Sequence, residues 1–109
     1  MFEERRQRPP EADPAAERAV PLLELGQVVA TPGALVALSD AHESGEWYLA
    51  RHARGDWGDL CAEDRAVNRQ AVRLGQRVLS EYRLPTGEKL WIITEWDRSV
   101  TTLLLASEY

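Results

Sequence analysis

The sequence predicts an α+β domain whose elements follow in the order β-α-α-α-β-β-β. Apolar residues recur at close to helical period between Leu60 and Val78, which predicts a long helix. Alternating apolar and polar residues after it predict three strands that form an antiparallel meander, separated by two polar turns. The helices are expected to pack on this meander. A chain of 109 residues has room for one such domain.

The first 20 residues differ in composition from the rest of the chain. They combine charges of both signs with three prolines and few apolar side chains. Such a segment cannot bury enough apolar surface to offset the entropy cost of ordering it. We therefore expect residues 1–20 to be a disordered tail and residues 21–109 to form the domain.

The domain is expected to open with a short strand and a first helix. The β-branched run Gly26–Ala30 is typical of a strand. Thr31 suits a helix N-cap, and Pro32 suits the first helical position, where its missing N–H costs nothing. The helix should reach about Leu38, with Leu35 and Leu38 on one side.

A second helix is predicted from about Gly45 to Ala53, capped by Ser44. Its candidates for burial are Trp47, Leu49 and Ala50.

A loop follows the second helix, because residues 55–59 combine two glycines and two aspartates. Trp57 in this loop is expected to fill part of the core. Asp59 is expected to cap the third helix, from about Ala62 to Leu74. Gly75 should end that helix.

The third helix and the strands have clear apolar positions. In and around the helix, the apolar residues at close to helical period, expected on its buried side, are Leu60, Val67, Ala71, Leu74 and Val78. The alternating positions of the strands are Val78, Tyr82 and Leu84, then Leu90, Ile92, Thr94 and Trp96, then Val100, Thr102 and Leu104. The turns are predicted at residues 85–88, with Gly87 at positive φ, and at Asp97-Arg98.

The middle strand is apolar on both sides. Trp91 and Ile93 alternate with Ile92 and Trp96, so either both faces of the sheet are covered or one face is an interface. A second copy of the chain, bound through that face, is one of the partners to expect.

Composition limits the functional classes. The net charge of −5 argues against a general nucleic-acid binder. The single cysteine, Cys61, cannot form an intramolecular disulfide and is expected to be at least half-buried. No apolar run is long enough to span a bilayer, and the charged N-terminus does not resemble a signal peptide. We therefore expect a cytoplasmic protein without membrane contact.

Four residues are candidates for catalysis: His52, Asp56, Asp59 and Asp97. Together they could supply an acid–base pair or ligands for Mg²⁺. The competing interpretation is that the aspartates only shape turns or cap helices. The spacing of His42, His52 and Cys61 matches no common zinc pattern, so no metal or other cofactor is predicted.

A second set of residues is a candidate for interaction. Arg65, Arg69 and Arg73 lie four apart on one face of the third helix and could meet phosphate or an acidic partner. A solvated helix face is the alternative. Trp91 and Ile93 on the sheet and Arg98 in the last turn complete the set.

Three segments resemble a family of small uncharacterised plasmid and mobile-element proteins, some labelled as related to type I restriction subunits. They are LGQVVATPGALVAL, RHARGDWGDL and LPTGEKLWIITEWDRSVTTLLLASEY, within about residues 24–109. Trp47-Tyr48 departs from the aliphatic residues expected there. No helicase, methyltransferase or nuclease motif is present. The resemblance implies a context of mobile DNA, with a link to host defence or restriction.

These observations favour a non-enzymatic module that binds another protein through the sheet face or the polar loops. A small metal-dependent nuclease or RNase built on the four candidate catalytic residues is the first alternative. A DNA-binding module that uses the arginine stripe is the second.

Overall fold

The computed structural model of the protein describes residues 22–109, and the predicted disordered tail lies outside this range. The predicted α+β fold and its order of elements are confirmed. The strands are Gln27–Ala30 (β1), Val78–Arg83 (β2), Lys89–Thr94 (β3) and Val100–Leu105 (β4). The helices are Pro32–Asp40 (α1), Gly45–Ala53 (α2) and Ala62–Leu74 (α3), and a 3-10 helix, Ala106–Glu108, follows β4.

The four strands form one sheet in the order β1-β4-β3-β2. Strands β2, β3 and β4 pair antiparallel, as predicted for the meander. The first strand, β1, pairs parallel with β4, and Gln27 lies opposite Val100. The sheet therefore has two edges, β1 on one side and β2 on the other.

The predicted helix ends are confirmed except for one. Thr31 Oγ1 accepts a hydrogen bond from Ala34 N at 3.0 Å, and Ser44 Oγ accepts one from Glu46 N at 3.2 Å. Gly75 ends α3 in the left-handed conformation, with φ of 69°. The expectation that Asp59 caps α3 is wrong, because the N-cap position belongs to Cys61, which is exposed and not buried as expected.

The main core lies between the helices α1 and α2 and one face of the sheet, here called the front face, which carries Leu90, Ile92 and Leu103. Its members are apolar residues of α1, two tyrosines whose rings are tilted by 48° with centroids 5.1 Å apart, and aliphatic residues in or just after the strands: Ala34, Ala37, Leu38, Tyr48, Tyr82, Leu84, Leu90, Ile92, Leu103 and Leu105. Leu38 is buried, whereas Leu35, expected on the same side of the helix, is exposed. In α2, Tyr48 is buried, while the predicted Trp47 and Leu49 are only partly buried and Ala50 is exposed.

A second, smaller core forms where α3 meets β2. Leu23, Trp57, Leu60, Ala71 and Val78 are its buried members, so the prediction for Trp57 is confirmed.

Two predicted core residues of α3 face solvent instead. Val67 is 61% exposed and Leu74 is 54% exposed. The helix packs along the edge strand β2, so only a narrow strip of it, with Asn68 and Ala71, is buried. None of the helices within residues 22–109 is long and apolar enough to cross a membrane.

Candidate functional site

His52 lies on α2 and is completely buried against the front face of the sheet. Its Nδ1 is 2.6 Å from Ser80 Oγ on β2, and its Nε2 is 2.9 Å from Thr94 Oγ1 on β3. Thr94 Oγ1 is 2.7 Å from Thr101 Oγ1 on β4, and the Thr101 hydroxyl donates to the carbonyl of Leu25 at 2.7 Å. One side chain of α2 is thereby linked to three strands.

The direction of each hydrogen bond in this network follows from its last acceptor. The Leu25 carbonyl takes the single proton of the Thr101 hydroxyl, so Thr94 must donate to Thr101. Thr94 must then accept from Nε2–H of His52. The Nδ1 atom of a neutral imidazole is left to accept from Ser80. The network therefore fixes His52 as the neutral Nε2–H tautomer.

The environment of His52 suits a structural role. Burial, and secondarily the positive charge of Arg98, lower the pKa of His52 to about 4. A serine beside an oriented histidine is the arrangement of an activated nucleophile. Neither Ser80 nor His52 has any exposed surface, so a substrate cannot reach the hydroxyl.

Asp56 follows α2 and pairs with Arg51. Its Oδ2 accepts from Arg51 Nε at 2.7 Å, and its Oδ1 accepts from Gly58 N at 3.2 Å. Burial acts to raise the pKa of Asp56, but the hydrogen bond and charge of Arg51 outweigh it and keep the pKa below its ordinary value. The Arg51 guanidinium also lies 4.7 Å from the ring centroid of Tyr82. Asp56 thus shapes and anchors the loop.

Asp97 and Arg98 hold the turn between β3 and β4. Asp97 Oδ1 accepts from the amide and the hydroxyl of Ser99, at 3.1 and 2.6 Å, and these bonds lower the pKa of Asp97. Arg98 donates to the carbonyls of Gln76 at 2.6 Å and Ala71 at 3.1 Å. Arg98, a predicted interaction residue, therefore fastens this turn to the end of α3.

The four candidate catalytic residues do not form one site. His52 is buried, and each aspartate bonds to a different neighbour. Within residues 22–109, no three histidine, cysteine, aspartate or glutamate side chains lie together in a way that could hold a metal ion. The convergence that the metal-dependent nuclease hypothesis requires is thus missing from this part of the chain.

The arginine stripe lies on the outer side of α3. Arg65, Arg69 and Arg73 are all exposed, and Arg65 donates to the Leu60 carbonyl at 2.6 Å. Within the described residues, Arg69 and Arg73 form no hydrogen bond or ion pair. Both side chains are accessible to solvent.

The back face of the sheet is partly covered by the end of the chain. The ring of Tyr109 lies 5.2 Å from that of Trp91, and the Tyr109 hydroxyl accepts from Arg77 Nη1 at 2.9 Å. Trp91 Nε1 also donates to Glu81 at 2.9 Å. Ile93 is only 4% exposed, so this predicted interaction residue is not accessible to a partner. Of the two alternatives that the sequence left open for this strand, a covered face is the one found at Ile93.

The edge of the sheet at β2 is closed, in part by one asparagine. Asn68 of α3 is buried and faces the backbone of Leu79. Its Nδ2 donates to the Leu79 carbonyl at 2.6 Å, and its Oδ1 accepts from the Leu79 amide at 3.2 Å. The side chain thus takes the place of a neighbouring strand at this position.

The loop before α3 closes the rest of the β2 edge. Glu81 N donates to the Trp57 carbonyl at 3.1 Å, and Asp59 N donates to the Glu81 carbonyl at 2.6 Å. Arg83 N donates to Asp59 Oδ2 at 2.8 Å. Asp59, proposed from the sequence as a cap or a catalytic acid, instead seals this edge. Gly58, with φ of 79°, allows the loop to lie directly against β2, because a Cβ there would collide with the Glu81 carbonyl.

The opposite edge, at β1, is open as far as residues 22–109 are concerned. Gln27 N donates to the Ser99 carbonyl and Thr31 N to the Leu103 carbonyl, both at 3.0 Å, so alternate residues of β1 face β4. The N–H and C=O groups of Val28 and Ala30 point away from the sheet. Within residues 22–109, no backbone group pairs with them.

Apolar side chains accompany this open edge. Val28 is 43% exposed and Val29 is 39% exposed, and Leu35 and Val36 of α1 are exposed as well. The stretch from Leu25 to Ser39 contains no charged residue. Edge strands usually carry charges, prolines or bulges that prevent pairing with other chains, and β1 has none of them.

A shallow groove of about 520 Å³ lies between α1 and the β2–β3 turn, lined mainly by Val36, Ala37, Thr86, Glu88 and Leu105. It is open to solvent and contains no buried charged group, so it lacks the fixed polar contacts of a small-molecule site.

Comparisons with known proteins found no matching family model, no matching curated protein and no matching solved structure.

Proposed function

We propose that this protein is a non-enzymatic protein-interaction module and that the open edge of β1 is its contact surface. The difference between the two sheet edges carries this proposal. Every outward amide of β2 has a partner within the domain, whereas those of Val28 and Ala30 have none among the described residues. An open edge is a template on which an extended segment of protein can add as a further strand.

The chemistry of strand addition fits this edge. Main-chain hydrogen bonds supply affinity, and alternate side chains supply specificity. Val28 lies on the front face of the sheet beside Thr101, and Val29 lies on the back face beside Thr102. An added strand would therefore find one exposed valine on each face.

The alternatives have less support. A hydrolytic site would need the polar residues to converge, and within residues 22–109 they do not. The exposed Arg69 and Arg73 leave a weak, salt-sensitive contact with an anion as the second candidate function, against a whole-chain charge of −5. A role in mobile DNA and its contest with host restriction remains a proposal that rests on the resemblance alone.

A displayed random-peptide library tests the proposal. Peptides selected on the full chain should be extended and rich in alternating β-branched residues. In ¹⁵N-labelled protein, they should shift the amide signals of Val28 and Ala30. Signals of the outward amides of β2 should stay in place.

Two variants serve as the matched pair for this experiment. Val28→Pro removes an outward N–H without touching the β4 ladder and should weaken binding about 5-fold or more, since one hydrogen bond is worth about 1 kcal/mol. Leu74→Lys changes a still more exposed apolar side chain, on α3, and should bind as the wild type does. Selected peptides that bind equally well to Val28→Pro, or that shift signals of α3 instead, would refute the proposal.

A further inference from the structure

The β1 edge is self-complementary. Its outward residues are Val28 and Ala30, two positions apart, with Val29 between them. When two copies of β1 lie antiparallel about a two-fold axis through Val29, Val28 of each copy faces Ala30 of the other. Each such pair exchanges two N–H···O=C bonds, giving four between the copies.

The same two-fold arrangement brings the exposed side chains together. Val29 meets its own counterpart in a non-hydrogen-bonded pair, where the Cα atoms are about 4.5 Å apart and the side chains are closest. Val–Val contacts of this kind stabilise sheets. Both copies would then share one continuous eight-stranded sheet, built from two sheets of four.

Charge also favours a second copy at this edge. The chain has a net charge of −5, so two copies repel each other over most of their surface. No residue from Leu25 to Ser39 is charged, so the paired strands themselves carry no like charges. The Glu108 carboxylate lies just beyond the strand, where it accepts from Thr31 Oγ1 at 2.8 Å. A basic partner would find no carboxylate within the strand itself, and the Glu108 carboxylate beyond its end already accepts from Thr31 Oγ1 and Leu105 N.

We infer that the strand which adds to β1 is β1 of a second copy of this chain. This inference rests on the proposed function, because it names the partner of the same edge. The protein is then a homodimer joined through its sheets, with Val29 at the two-fold axis. Higher ionic strength should tighten the dimer, because salt screens the repulsion between the two negative copies.

Cysteine cross-linking of the full chain tests both the dimer and its register. The background is Cys61→Ser, because the native thiol is exposed. Val29→Cys should form an intersubunit disulfide under mild oxidation, since a Cα separation of about 4.5 Å lies within disulfide range. Val28→Cys, about as exposed, should not, because its two copies would lie about 9 Å apart.

Analytical ultracentrifugation provides the second measurement. The wild type should dimerise, and Val28→Pro should raise the dimer Kd about 30-fold, since two of the four intersubunit hydrogen bonds lose their donors. A dimer that cross-links efficiently at position 29 and not at position 28 would support the inference.

Three results would overturn it: a monomer at several hundred micromolar, equal cross-linking at positions 28 and 29, or a dimer that Val28→Pro leaves unchanged. A monomer whose Val28 and Ala30 amides still respond to selected peptides would overturn the second copy as partner and leave the proposed function standing. If residues 1–21 occupied the edge, a chain starting at Leu22 would dimerise and the full chain would not, which also contradicts the inference.

Discussion

The two edges of the sheet differ in how their backbone groups are satisfied. At β2, Asn68 and the loop around Gly58 supply a partner for each outward amide. At β1, a short uncharged strand presents Val28 and Ala30 without a partner among residues 22–109. The comparison indicates that side chains and a loop close the β2 edge, whereas none of residues 22–109 closes the β1 edge. A surface left open beside a sealed one is the best candidate for a contact with another chain.

The largest effect is expected when the sealed edge is forced open at Gly58. Gly58→Ala places a methyl group against the Glu81 carbonyl, at a residue with φ of 79°. We expect a loss of about 4 kcal/mol in the free energy of unfolding, from backbone strain plus overpacking. Gly87→Ala is the control, because φ there is 98° but the space is empty, so only about 1 kcal/mol should be lost. Equal losses in urea denaturation would show that the loop does not lie against β2.

A comparable loss of stability should appear on acidification. Protonation of His52 disrupts the network that joins β2 to the residues just before β1. The pKa of His52 is about 4 in the folded protein and about 6.5 in the unfolded chain. Between these values the unfolded chain binds a proton that the folded protein does not. Stability should therefore fall by roughly 3 kcal/mol as the pH decreases from about 6.5 to about 4.

The variant His52→Gln isolates this contribution. It should be less stable at neutral pH and should lose most of the slope between pH 6.5 and 4, measured by urea denaturation at each pH. If the wild-type stability does not change with pH across this window, the pKa of His52 is not lowered in the folded protein.

A smaller effect is expected from Asn68, which closes β2 at a single position. Asn68→Ala leaves the amide and carbonyl of Leu79 without partners, at a cost of about 2 kcal/mol. Gln70→Ala on the exposed side of the same helix should cost less than about 0.5 kcal/mol. If the β2 edge opens, Asn68→Ala should also aggregate more readily than Gln70→Ala in light scattering. Equal stability of the two variants would remove Asn68 from the account of the sealed edge.

The smallest effect tests how α3 is placed along the sealed edge. Val67→Asp should change the free energy of unfolding by less than about 0.5 kcal/mol, because Val67 is 61% exposed. Ala71→Asp, four residues later on the buried strip, should unfold the domain, since an unpaired buried charge costs several kcal/mol. Circular dichroism of both variants checks this pair. An unfolded Val67→Asp variant would place the helix with a different face inward.

The sequence predicts the elements better than it predicts their contacts. The helix ends at Thr31, Ser44 and Gly75 follow from local hydrogen bonding, and the meander follows from alternation and turn residues. These signals act over a few residues and are therefore readable along the chain.

The failures arise where tertiary packing decides. Helical periodicity places Val67 in the core, but α3 packs on a strand edge, where only Asn68 and Ala71 fit. Burial of His52 depends on hydroxyls 28 and 42 residues away, and no local pattern reveals them. The position of β1 at the edge of the sheet follows from no local pattern either. The one related feature visible in the sequence is the uncharged stretch from Leu25 to Ser39, which leaves this strand able to pair with another chain.

Amide hydrogen exchange, followed residue by residue by NMR, tests the contrast between the two edges most directly. In dilute, monomeric protein, the amides of Val28 and Ala30 should exchange nearly as fast as those of an exposed chain. The outward amides of Leu79, Glu81 and Arg83 should be protected by orders of magnitude. Raising the protein concentration should then protect Val28 and Ala30 alone. Protection of these two amides at every concentration, or fast exchange along β2, would contradict the account.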